Sequence, residues 1–148
     1  YWHVRETAVL ALGAIGDKRA VEPIIDALKD GSLNVKCEVV GALGALGDKR
    51  ALEPLMDILD EDDYILRACT VTSLGKIGDS LAVNSLLNLL KDEDYFVRVN
   101  AANAIATIGD ESALPFLQEA LNNSKGESRD FERAVREAMN KIRARKRR

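Results

Sequence analysis

Two rows of polar side chains recur at a fixed step in this chain. Asp26, Asp57, Asn88 and Glu119 stand 31 residues apart, and Glu22, Glu53 and Asn84 run beside them at the same step. Carboxylates and amides repeated in this way form either a solvated helix face or a groove for a basic or polar partner segment. Other candidate chemistry is sparse. Cys37 and Cys69 form no CxxC or metal-ligand spacing. Redox or nucleophilic use would need a base beside them, and the sequence places none there. The expectation is two free, mostly buried thiols in a reducing compartment. His3 is the only histidine, and Asn34, Ile65 and Phe96 occupy its place at later steps, so the position reads as packing or repeat edge. One histidine without a cysteine cluster does not make an ordinary zinc site. Neither GxxxxGK(S/T) nor GxGxxG occurs. The residues offer no catalytic, metal-binding or cofactor-binding constellation, and no cofactor is expected.

The same 31-residue step organises the rest of the chain. Gly-Asp pairs fall at Gly16-Asp17, Gly47-Asp48, Gly78-Asp79 and Gly109-Asp110. A basic column runs through Arg5, Lys36, Arg67 and Arg98. The expectation is a ladder in which the Asp of one unit bonds the basic residue or turn backbone of the next. Acidic runs at Asp60-Glu61-Asp62-Asp63 and Asp92-Glu93-Asp94 fall where one unit passes to the next. Carboxylates there favour the positive end of a helix dipole, and no calcium-ligand loop accompanies them.

These columns need elements to carry them. Val4, Ala8, Ala11, Leu12 and Ile15 recur at three- and four-residue spacing, as do Val21, Ile24, Ile25 and Leu28, so each unit holds two helices and no strand. The invariant Gly of each Gly-Asp pair predicts a left-handed helix end. Gly13, Gly44 and Gly75 share a column with Ala106, which implies a demand for small size and a milder cost for Gly44→Ala than for Gly47→Ala. Pro23 and Pro54 stand early in second helices, where a missing N–H costs least. Asp63 and Asp94 are expected N-caps, with Ser32 near the same place in unit two.

Four units of fixed period predict an all-α solenoid. The repeats span about residues 2–32, 33–63, 64–94 and 95–124, within one domain of residues 1–148. A polar loop follows, then a helix over about 129–144. Phe131, Val135, Ala138, Met139 and Ile142 line one face of it, and they match a first helix shifted by three residues. This reads as a capping helix that closes the last repeat. The basic end, residues 143–148, is expected to have no part in the core, and its removal to leave stability unchanged. At the other end Tyr1 opens directly on a repeat, so either further repeats precede it or that face meets another molecule, self-association included. A first residue other than Met implies a processed chain or a piece of a longer one.

The stretch VRETAVLALGAIGDKRAVEPIIDAL resembles the HEAT-like repeats of phycobilisome lyases, with the pattern VRxxAxxALGxIGDxRAVEPLIxxL. The resemblance covers residues 2–121 and fades in units three and four, where SLAVNS and ESALPF replace KRAVEP. It implies a right-handed α-solenoid whose second helices line the concave side. It does not imply one activity, because relatives include bilin lyases, an iron hydroxylase and binding scaffolds. The hydroxylase holds its metal through His-Glu pairs, and no His-Glu dipeptide occurs here.

Charge narrows the partner. Residues 1–128 hold 12 basic and 21 acidic residues, whereas residues 129–148 hold 9 and 3. An acidic body argues against a nucleic-acid groove of the kind HEAT-like glycosylases would need. No apolar run approaches the roughly 20 residues of a membrane span. The expected function is therefore a non-catalytic, cytoplasmic scaffold that binds a protein or peptide, basic if the acidic stripe is the contact. The alternatives are an enzyme or enzyme subunit of the bilin-lyase kind and weak nucleic-acid binding through the basic tail.

Overall fold

Each repeat opens with a helix of 14 residues: α1 (Trp2–Ile15), α3 (Leu33–Leu46), α5 (Tyr64–Ile77) and α7 (Tyr95–Ile108). Shorter second helices follow: α2 (Val21–Asp26), α4 (Leu52–Ile58), α6 (Val83–Asn88) and α8 (Leu114–Asn123). The chain ends in α9 (Arg129–Lys146). The computed structural model describes residues 1–124, 126 and 128–146, and no strand occurs among them. The chain divides into two compact units, Tyr1–Ile77 and Gly78–Arg148, with the division inside the third repeat.

The Gly-Asp pair stops each first helix and starts the next turn. Gly16, Gly47 and Gly78 adopt φ of 73°, 63° and 76°, the left-handed region that lacks a penalty only for glycine. The aspartate is extended, and its carboxylate accepts from the backbone N–H two residues on: Arg19 at 2.8 Å, Arg50 at 3.0 Å, Leu81 at 2.9 Å and Ser112 at 2.8 Å. A short 3-10 turn, such as Lys18–Ala20, grows from each such cap and leads into the second helix. The expected ladder is corrected here: Asp17, Asp48 and Asp110 cap their own turns, because the N–H groups they face are two residues away and otherwise unpaired. The arginine beside the aspartate shares the same carboxylate, which holds Asp48 down to about 2 and lowers Asp17 for the same reason.

In the first unit, small residues set the spacing of the first helices. A Cβ on Gly13 would lie 2.8 Å from the Ala42 Cβ, and one on Gly44 would lie 2.7 Å from the Ser73 Cβ. The Gly column thus faces the Ala42 and Ser73 column of the following repeat. Val35, Val39, Leu43 and Leu55 are fully buried between first and second helices. Asp63 and Asp94 cap α5 and α7 as their position predicts, each accepting from two N–H groups. Ser32 makes no side-chain cap; Asp30 instead accepts from the Ser32 N–H at 2.8 Å.

In the second unit, α9 lies along α7 and α8. Phe131, Val135, Ala138, Met139 and Ile142 are all buried, as their spacing predicts, and Ala134 joins them. Two expectations fail at this end. Gly109 is not left-handed: its φ is −72° and ψ 154°. A Cβ there would meet the Ile105 carbonyl oxygen at 2.7 Å and Ile142 Cδ1 at 3.4 Å, so glycine is required by close approach. The basic end is not clear of the core fold either. The Arg145 guanidinium donates to the carbonyls of Ala106 at 2.9 Å, Thr107 at 3.0 Å and Gly109 at 2.7 Å. It satisfies the carbonyls that a helix end leaves open, so α7 exits into extended backbone without a left-handed turn. Lys146 bridges Glu111 at 2.8 Å. Lys141 and Arg143 are exposed, and Arg147 and Arg148 lie outside the described residues.

Candidate functional site

The second helices present the polar rows found in the sequence. On α2, Glu22 and Asp26 are one turn apart and exposed; on α4, Glu53 and Asp57 repeat the arrangement. Residues four apart share a helix face. Pro23 and Pro54 each stand three residues into these short helices, where no intrahelical N–H is lost.

Arg50 joins the two helices. Its Nη1 donates to Glu22 at 3.2 Å and its Nη2 to the Lys18 carbonyl at 2.9 Å, while Nε stays on Asp48 at 3.0 Å. Asp26 faces Lys29 at 3.4 Å, an exposed pair worth little in water. Among the described residues, the carboxylates of Glu53 and Asp57 have no hydrogen-bond or ion-pair partner. The first unit therefore carries four carboxylates on adjoining second helices, two of them compensated only in part and two uncompensated.

The second unit carries a weaker version. Asn84 and Asn88 are exposed on α6 but bear no charge, and Glu119 on α8 pairs with Lys91 at 2.9 Å. The stripe is thus strongly acidic only over Glu22, Asp26, Glu53 and Asp57.

The basic column holds the linkers between repeats. Arg5 pairs with Asp30, and Lys36 with Glu61 at 2.9 Å. Arg67 donates to the carbonyls of Glu61 at 2.9 Å and Asp62 at 2.8 Å, and Arg98 to those of Asp92 at 2.7 Å and Glu93 at 3.0 Å. Lys36 and Arg67 thus converge on Glu61. A cation at this column offsets the open carbonyls and carboxylates where one repeat turns into the next.

Cys37 is a poor nucleophile. Burial, the neighbouring Cys69 thiol and the carboxylates of Asp63 and Glu38 push Cys37 up to about 12, so it stays protonated at neutral pH. His3 sits edge-on to Trp2, with ring centres 5.5 Å apart, in an exposed aromatic group. No described group of three or more His, Cys, Asp or Glu side chains is placed to hold a metal ion, and no described helix is long and apolar enough to cross a membrane.

Two arginines escaped the sequence reading. Arg50 was within reach, because Lys18-Arg19-Ala20 recurs as Lys49-Arg50-Ala51. Arg145 was not, because its acceptors lie 36 to 39 residues away on another helix.

A family model of HEAT repeats matches residues 1–70 and 60–140. Among solved structures, the chain is similar to the complex of CpcE and CpcF of phycocyanin lyase from Nostoc sp. PCC7120. The TM-score is 0.80 at 23% identity, over 95% of this chain and 59% of that one. The chain thus spans less than two thirds of that lyase chain. It is also similar to computationally designed armadillo repeat proteins for modular peptide recognition, with a TM-score of 0.66 at 20% identity, over 96% of this chain and 77% of that one. Human deoxyhypusine hydroxylase in complex with glycerol gives 0.54 at 16% identity, over 97% and 81%. At these identities the likeness is one of fold. No curated protein matches the chain in sequence. With the family match on top of four helix pairs at a 31-residue step, the chain belongs to the HEAT-repeat family and has its α-solenoid fold, of the kind the phycobilisome-lyase resemblance implies.

Proposed function

We propose that residues 1–148 act as one non-catalytic module, in the cytoplasm, that binds a basic peptide segment of a protein partner along the second helices. The resemblance makes that face the concave one, the side on which repeat proteins bind extended partners. One observation carries the reading: Glu22, Asp26, Glu53 and Asp57 stand exposed on adjoining helices, and the carboxylates of Glu53 and Asp57 have no partner among the described residues. Solvated carboxylates without internal partners give up no internal ion pair on meeting a lysine or arginine, and they steer it from a distance. The designed armadillo proteins support the reading to the extent that a fold of this kind serves modular peptide recognition.

The test uses the full chain and a labelled peptide of alternating lysine and alanine, followed by fluorescence polarisation. Glu53→Gln with Asp57→Asn should weaken binding roughly tenfold at low salt and flatten its salt dependence, with the melting temperature unchanged. Equal binding by wild type and variant would leave the row as a solvated face and end the proposal.

A further inference from the structure

The face of α1 that looks away from α3 is built like an internal contact. Val4 is 61% exposed, Leu12 37% and Ile15 72%, whereas Val35, Leu43 and Leu46 at the same columns of α3 are 0%, 0% and 8% exposed. Ala11 is exposed too, although its equivalents Ala42 and Ser73 lie against Gly13 and Gly44 of the preceding repeat. A small residue is needed at that column only where another first helix approaches.

A polar contact is missing in the same sense. Arg50 reaches back to the preceding repeat, to the Lys18 carbonyl and to Glu22, and its side chain is 47% exposed. Arg19 is the same residue one repeat earlier. Among the described residues it pairs only with Asp17 of its own turn, and its side chain is 92% exposed. Apolar face and arginine together copy the contact that repeat two makes with repeat one.

We infer that the exposed face of α1 is a stacking face whose occupant is a further HEAT repeat, joined ahead of α1 in the same polypeptide and seated as repeat one seats against repeat two. That repeat must bring a first helix with glycine opposite Ala11, and a turn carbonyl and an acidic side chain for Arg19. A second copy of this chain offers no such face on α1 or α3, where Gly13 and Gly44 are already filled by Ala42 and Ser73, and α9 lies along α7 and α8.

The test inserts a duplicate of residues 33–63 between Tyr1 and Trp2 of the full chain. The duplicate carries its own Gly44, Lys49 carbonyl and Glu53 into the required places. The extended chain should melt on the order of 5 °C higher than the parent. Arg19→Ala should lower the melting temperature of the extended chain by more than that of the parent, since the loss of the Asp17 pair is common to both. An extended chain that melts no higher, or an Arg19→Ala effect equal in both, would overturn the inference. Sedimentation of the parent at rising concentration should show a monomer; a dimer abolished by Leu12→Glu would give the face to a second copy and overturn it as well.

Discussion

Gly44 and Gly47 sit three residues apart and resist the same substitution for different reasons. Gly47 has open space around it but holds φ at 63°, so Gly47→Ala costs about 1–2 kcal/mol of backbone strain. Gly44 is helical, yet its Cβ would come within 2.7 Å of the Ser73 Cβ and 2.9 Å of its Cα, which forces two helices apart. Overpacking of this kind costs typically about 1–3 kcal/mol. The Ala106 at this column suggested a mild effect in the sequence; the structure removes the ground for it, because spacing is set pair by pair and Gly44 lies against Ser73. In urea melts Gly44→Ala should lose at least as much as Gly47→Ala, and Ser73→Gly should restore part of the Gly44→Ala loss but none of the other. A second prediction at this scale concerns acid. Asp48 is held at about 2 chiefly by the Arg50 side chain and the Arg50 N–H, and Asp17 and Asp110 are lowered by like bonds. A free Asp titrates near ~3.9. A folded value below the unfolded one gives stability that is complete above about pH 4 and is lost as the pH falls toward 2. Thermal melts should be flat for these groups from pH 7 to 5 and should drop below 4; in Asp48→Asn the drop should be shallower.

Among the elements, α9 shows how far periodicity reaches. Its apolar face was legible because Phe131, Val135, Ala138, Met139 and Ile142 keep a helical step, and burial follows from that step wherever a neighbour exists. The turn capping by Asp63 and Asp94 was legible for a similar reason, being local in sequence. The role of Arg145 was not, because a cation at a helix end looks alike whether it faces water or the open carbonyls of another helix. The direction of the Asp17, Asp48 and Asp110 carboxylates was misread on the same ground: a repeated column fixes spacing but not which neighbour a side chain turns to. The consequence is a changed expectation for the C-terminal deletion. Removing residues 143–148 should lower the melting temperature, since two α7 carbonyls and that of Gly109 lose a charged donor. Hydrogen bonds to charged groups contribute about 1.5–3 kcal/mol when shielded, and less at this partly exposed site. Arg145→Ala alone should reproduce most of the loss, while Arg143→Ala should be silent; a silent Arg145→Ala in differential scanning calorimetry would show that water replaces the guanidinium at no cost.

At the scale of the molecule, four repeats followed from the 31-residue step and the closing helix from its apolar spacing, whereas the division at Ile77 and Gly78 followed from neither. Contact density decides where a repeated chain parts, and a regular step carries no mark of it. If the two units act as one module, calorimetric and van't Hoff enthalpies should agree in a single transition. Two transitions, with the lower one abolished selectively by Arg145→Ala, would make the second unit independent. The two copies of the Lys-Arg-Ala turn also differ in a way a protease can time. Trypsin cleaves after arginine only where the chain opens locally, and tethered segments open less often. Arg50 is tied at Asp48, Glu22 and the Lys18 carbonyl, but among the described residues Arg19 holds only Asp17. Limited digestion should nick the chain at Lys18-Arg19 well before Lys49-Arg50, so two identical cleavage sequences become a clock whose order of striking reads which repeat has a neighbour seated on its leading side.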